Sequence, residues 1–156
     1  MDIAVLSTAR STSLKGGELE VGDLRKHEEP VNIALSNVSY DDLTGDGKEE
    51  AIVSLTYLLY PHGSAGCTFI YRLKRGRPQL VWRHSFGGGS FGGLRKLAVE
   101  TGNLLVEEYL HSEGDAYCCA EKFNRSFYRW QGGRFRKIKS KVLANDYADA
   151  RFLGYP

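Results

Sequence analysis

Glycine-bearing turns recur so closely along this chain that a long helix has almost no room to form. Short runs rich in β-branched and aromatic residues lie between them. Such runs, bounded by turn residues, read as strands joined in hairpins. Val31, Ile33 and Leu35 alternate with small or polar residues, and Val38 and Tyr40 resume on a shifted phase. Ala51–Tyr60 (AIVSLTYLLY) has the length and composition of a central strand, and Pro61–Gly66 breaks it. Cys67–Leu73 and Gln79–Ser85 follow, on either side of a Lys74–Pro78 turn. Leu94–Val99 and Leu104–Leu110 form a hairpin around Glu100–Asn103. Phe123–Trp130 and Arg134–Ile138 form another around Gln131–Gly133, where Gly-Gly supplies positive φ.

The fold expected is therefore mainly β. Residues 31–156 make a single antiparallel β-meander of about seven or eight strands. Residues 1–30 are a polar arm carrying one short strand near Glu18–Val21, and Leu143–Phe152 has the composition of a short C-terminal helix. With 156 residues, 42% of them hydrophobic and 26% charged, the chain has the size and core content of one domain, and disorder is excluded for its bulk.

The net charge of +2 hides a division. Residues 1–60 hold 5 Lys and Arg against 11 Asp and Glu, and residues 61–156 hold 16 against 8. Either the two parts pack together and neutralise each other, or the second part carries a basic partner surface. The basic residues concentrate at Lys122, Arg125, Arg129, Arg134, Arg136, Lys137, Lys139 and Lys141, interleaved with Phe123, Phe127, Tyr128, Trp130 and Phe135. Single-strand nucleic-acid binders combine cations with aromatic platforms in this way. An amphipathic hairpin gives the same pattern, with Tyr128 and Trp130 on a buried face and Arg129 on the other. Arg125, Arg129, Trp130, Arg134 and Arg136 are the candidate binding surface. A nucleic-acid partner is not the reading favoured, and an anionic lipid or cell-wall polymer fits this surface equally.

The sharpest local motif is Asp42-Leu43-Thr44-Gly45-Asp46-Gly47-Lys48-Glu49-Glu50. Side-chain oxygens at alternating positions and a glycine that permits a sharp bend can wrap Ca²⁺, which takes about 6–8 oxygen ligands. Asp42, Thr44, Asp46, the Lys48 carbonyl and Glu50 are the candidate ligands. This is not a full EF-hand loop, because Val53 stands where a bidentate Glu is required. The alternative is a metal-free turn in which Asp42 and Thr44 bond to loop amides.

Other chemistry finds less support. The Gly87–Gly93 tract lacks the Gly-Lys-Ser/Thr ending of a phosphate loop, and reads as a tight turn or a close approach of two backbones. His62, His84 and His111 with Cys118, Cys119, Asp115 and Glu121 fit no spacing of a Cys-His nucleophile or metal site, and neither G-x-S-x-G nor H-E-x-x-H occurs. No stretch approaches the roughly 18–20 apolar residues of a membrane span. Met1–Leu6 is apolar but Ser7, Thr8 and Arg10 follow at once, so no signal-peptide core is visible. The chain is then cytosolic, or it begins after a removed leader.

The order of motifs resembles the LppP/LprE family of mycobacterial lipoproteins and its relatives in other bacteria. The resemblance rests on the Asp42-Leu-Thr-Gly-Asp-Gly loop leading into a strand, Gly92-Gly-Leu-Arg95, the adjacent Cys118-Cys119, and the Tyr128-Arg-Trp130 hairpin. It covers roughly residues 31–138. Ala120 and Glu121 stand where the family tends to have Pro and Ser. The acidic loop is also similar to those of FG-GAP-type β repeats, although it occurs only once here. The family resemblance implies an exported protein without an established activity. Export gives weight to disulfides. Cys67 paired with Cys118 or Cys119, a strained Cys118–Cys119 bridge, and free thiols all stay open.

The function expected is a non-catalytic, exported or envelope-associated binding or structural module. It would have a calcium-stabilised loop and an unidentified protein or envelope partner. A Cys-His enzyme and an anionic-polymer or single-strand binder acting through residues 122–141 are the alternatives.

Overall fold

In a computed structural model, residues 14–21, 31–59, 63–88, 92–113 and 120–145 are described. They form nine antiparallel strands: β1 (Glu18–Val21), β2 (Val31–Asp41), β3 (Glu50–Leu59), β4 (Gly63–Lys74), β5 (Arg77–Phe86), β6 (Leu94–Glu100), β7 (Asn103–Leu110), β8 (Lys122–Gln131) and β9 (Arg134–Ala144). No helix occurs among the described residues, so none there is long and apolar enough to cross a membrane.

The mainly β expectation holds, but the single meander does not. Strands β1 to β5 form one sheet in chain order, and β6 to β9 form a second. The two pack in a sandwich-like arrangement. The Gly87–Gly93 region lies between the last strand of one sheet and the first of the next. Gly87 N–H donates to the Gly92 carbonyl at 2.9 Å. A Cβ added to Gly88 would stand 1.9 Å from the Ser64 carbonyl oxygen, so only glycine allows that approach. The expected short helix overlaps β9, which continues as strand through Ala144. Its remainder, from residue 146, falls outside the described residues.

Alternation decides which side chains meet between the sheets. Ile52 of β3 and Ile70 of β4 point inward from the first sheet, with Val81 and Trp82 of β5 beside them. Leu104 and Val106 of β7 and Tyr128 of β8 point inward from the second, flanked by Leu94, Leu97, Val99 and Phe135. Ile70 and Leu104 are fully buried, each contributing about 1.5–3 kcal/mol relative to an exposed side chain. Trp82 meets Tyr128 edge-on at 5.5 Å across the interface. A second cluster, Ile33, Tyr57 and Cys67, lies on the opposite face of the first sheet.

The shifted phase in β2 has a structural cause. Its register against β3 slips between Leu35 and Asn37, a bulge at Ser36, whose hydroxyl donates to the Ser54 carbonyl at 2.9 Å. Three hairpins turn on two residues of positive φ: Arg75-Gly76, Thr101-Gly102 and Gly132-Gly133. That geometry matches the twist of the flanking strands.

Candidate functional site

Residues 42–49 join β2 to β3 as an irregular loop plugged into the sandwich by Leu43, which is 2% exposed. Its carboxylates serve three separate sets of partners. Asp42 Oδ1 accepts the amides of Gly45 and Asp46, and Oδ2 accepts that of Gly47 at 2.9 Å. Glu50, the first residue of β3, is 1% exposed. Its Oε2 accepts the Leu43 and Thr44 amides, each at 3.0 Å, and its Oε1 accepts the Thr44 hydroxyl at 3.3 Å. Burial raises the Glu50 pKa, and the Thr44 and Leu43 hydrogen bonds offset only part of that rise. Asp46 Oδ1 accepts the Lys48 amide, while Oδ2 meets Arg72 at 3.2 Å. The Arg72 guanidinium lies 5.8 Å from the Trp130 ring centre, tying the loop to β8.

The described residues thus hold this loop by hydrogen bonds of its own. No three His, Cys, Asp or Glu side chains among them gather around one point as a metal would require. Asp42, Asp46 and Glu50 each serve separate partners in this conformation.

Among the described residues, Cys67 and His84 lie on opposite faces of the first sheet. The expected bridge from Cys67 to Cys118 or Cys119 is absent, and Cys67 is a free thiol. Its sulfur is buried on the outward face of the first sheet, where it accepts the Ser85 hydroxyl at 3.6 Å. Burial pushes its pKa up, against the thiolate a nucleophile needs. His84 lies on the other face, paired with Glu108 at 2.9 Å and stacked on Trp82. His62, Asp115, Cys118 and Cys119 fall outside the described residues. Glu121 is exposed just before β8.

The basic hairpin gives the clearest arrangement. The β8–β9 register sets Gln131 against Arg134, Arg129 against Arg136, Phe127 against Lys139 and Arg125 against Lys141. Alternation along β8, with the bulge at Ile138 that realigns β9, places all of these on the outward face of the second sheet. Trp130 pairs with Phe135 and Tyr128 with Lys137 on the inward face. The Trp130 and Phe135 rings meet at 5.1 Å. Trp130 therefore does not share a face with Arg125, Arg129, Arg134 and Arg136; the aromatic residues on their face are the buried Phe123 and the part-exposed Phe127. Strand parity counted from the Gly132-Gly133 turn gives the rungs only as far as Tyr128 and Lys137; beyond them a bulge at Ile138 shifts the register by one and brings Lys139 and Lys141 opposite Phe127 and Arg125.

Two of the arginines are held in place by their own sheet. Arg125 Nε donates to Glu107 Oε1 at 2.6 Å, and Arg95 binds the other oxygen of that fully buried carboxylate. Arg95 and Arg125 both lie over the Phe123 ring. Arg129 Nε donates to Asn103 Oδ1 at 2.8 Å. Glu107, one of two adjacent glutamates in β7 that the sequence did not mark out, organises this end of the face. Among the described residues, Lys122, Arg134, Arg136, Lys139 and Lys141 meet no carboxylate. The acidic part of the chain therefore does not neutralise this hairpin within the described residues. No family model matches the chain, and no curated protein or solved structure matches it.

Proposed function

We infer that this chain is a non-catalytic binding module that takes an anionic partner on the outward face of β8 and β9. One observation carries the reading: Arg129 faces Arg136, and Arg125 faces Lys141, as direct cross-strand partners. Like charges placed directly opposite each other destabilise a sheet. Residues 122–144 hold eight Lys and Arg and no Asp or Glu; Glu107 of β7 offsets the charge of Arg125, but among the described residues no carboxylate meets Arg129, Arg136 or Lys141, so the Arg129–Arg136 repulsion stands. An anion lying along the rungs offsets it. Among the described residues, the buried Cys67 thiol with its raised pKa supports the non-catalytic reading. The resemblance to LppP/LprE lipoproteins supports a further element of the proposal, an address in the bacterial envelope.

The test is binding of inorganic polyphosphate by the whole chain at increasing NaCl. The logarithm of the affinity is expected to fall linearly with the logarithm of salt concentration, as it does when counterions are released. Arg129→Gln combined with Arg136→Gln is expected to weaken binding about tenfold, equivalent to about 1.4 kcal/mol. No binding by the unaltered chain at about 50 mM salt rules the reading out.

A further inference from the structure

The anion-binding face has a finer structure than a cluster of charge. Resting on the preceding reading, we propose that its occupant is a single strand of nucleic acid, with phosphates on the arginines and a base against Phe127.

The first argument is the state of the arginines. Arg125 and Arg129 each spend Nε on a fixed partner in β7, Glu107 and Asn103. Their terminal nitrogens are left to the outward side, where Arg129 is exposed and the Arg125 side chain is 40% exposed. A guanidinium anchored at Nε loses little further freedom when its outer edge takes two phosphate oxygens. Free surface lysines lack this preorganisation.

The second argument is spacing. Residues two apart on a strand lie about 6.5–7 Å apart, and adjacent strands about 4.8 Å. Arg125, Phe127 and Arg129 therefore form a row of about 13 Å, doubled across the hairpin by Lys141, Lys139 and Arg136. This stripe is two strands wide and suits one extended chain. A duplex needs contacts on two separated backbones, and a bilayer offers a plane rather than a line.

The third argument is Phe127 itself. It is part-exposed in the middle of the row, with an arginine two positions to either side and Lys139 directly across. A polyanion of bare phosphates or polyols has nothing flat to lay there. A nucleobase has, and stacking on an aromatic ring tolerates any sequence.

The experiment measures anisotropy of a labelled oligothymidylate at low salt, with inorganic polyphosphate of matched charge as competitor. The oligonucleotide is expected to bind more tightly than polyphosphate. Phe127→Leu is expected to lower oligonucleotide affinity about fivefold or more and to leave polyphosphate affinity unchanged. Arg129→Lys keeps the charge but loses the fork and the Nε anchor, and is expected to weaken both. Thermal unfolding of each variant identifies any that fails to fold, and Arg136→Gln, fully on the surface, then reports in its place. Equal affinity for the two polyanions, or a Phe127→Leu effect shared by both, overturns the nucleic-acid proposal and leaves the anion-binding reading standing. Failure of both polyanions to bind overturns the two together.

Discussion

Arg129 and Arg136 stand directly across from each other on β8 and β9, and Arg129 turns its Nε to Asn103 instead of to a carboxylate. Arg136→Glu replaces that repulsion with an opposite-charge pair. It is expected to raise stability by about 0.2–1 kcal/mol while lowering polyphosphate affinity. Urea midpoints and binding isotherms on one preparation check both halves. A variant that is more stable and still binds at full strength contradicts the proposed role of the rung.

The buried carboxylate of Glu50 gives a second prediction. Removing it in Glu50→Ala leaves the Leu43 and Thr44 amides without their acceptor, at an expected cost of about 1–3 kcal/mol. Glu50→Gln can keep its carbonyl on both amides and donate to the Thr44 hydroxyl, so its cost is expected to be smaller. Chemical denaturation of both variants tests the order.

The same residue shapes the dependence of stability on pH. Glu50 holds its proton more tightly folded than unfolded, since burial raises its pKa above 4.5. From 4.5 up to that raised value the folded chain carries the extra proton, so this contribution to stability falls as pH rises through the interval. Below 4.5 it is fully present. The difference in stability between the unaltered chain and Glu50→Gln is expected to shift against the unaltered chain across that interval. A flat difference, measured by denaturation at successive pH values, contradicts it.

Gly66 on β4 is covered by the Phe86 ring, which a Cβ would meet at 2.1 Å. Gly66→Ala is expected to destabilise by about 1–3 kcal/mol. Combining it with Phe86→Leu is expected to cost less than the sum of the two, because the clash is then relieved. A double-mutant cycle by thermal unfolding reads the coupling, and strict additivity contradicts the contact.

Cys67 is expected to resist thiol reagents in the folded chain and to react on unfolding, given its burial and its raised pKa. Comparing labelling of the unaltered chain with Cys67→Ala isolates this one thiol. Equal and rapid labelling of Cys67 before and after unfolding contradicts its placement.

Strand positions were legible in the sequence because turns and alternation are local. The phase slip between Leu35 and Val38 marked a bulge that the β2–β3 register contains. The division into two sheets was not legible. Alternation says which side of a strand is apolar, and both Ile70 and Leu104 read as core without revealing that they come from different sheets. The length of β9 was missed for a related reason. The expected strand stopped at Ile138 because Lys139-Ser140-Lys141 carries no apolar residue; β9 is an edge strand exposed along nearly all its length, so its pairing with β8 leaves a faint pattern. At the acidic loop, the side-chain types were correctly seen as oxygen donors. That Glu50 turns inward to the Leu43 and Thr44 amides, and Asp46 outward to Arg72, depends on the packing of Leu43 and on β4, which local spacing does not encode.

The position of β9 at the end of its sheet bears on how this protein behaves at high concentration. An edge of eleven residues with no further strand beside it among the described residues is a template on which a second chain can add a strand. Two copies approaching edge to edge would bring Arg136, Lys139 and Lys141 of each against those of the other, and this repulsion keeps them apart. Salt therefore acts on the molecule in two opposed ways. If a polyanion binds as proposed, salt would loosen it and would also screen the charge on the edge, so the conditions that strip the ligand would be those that most favour self-association.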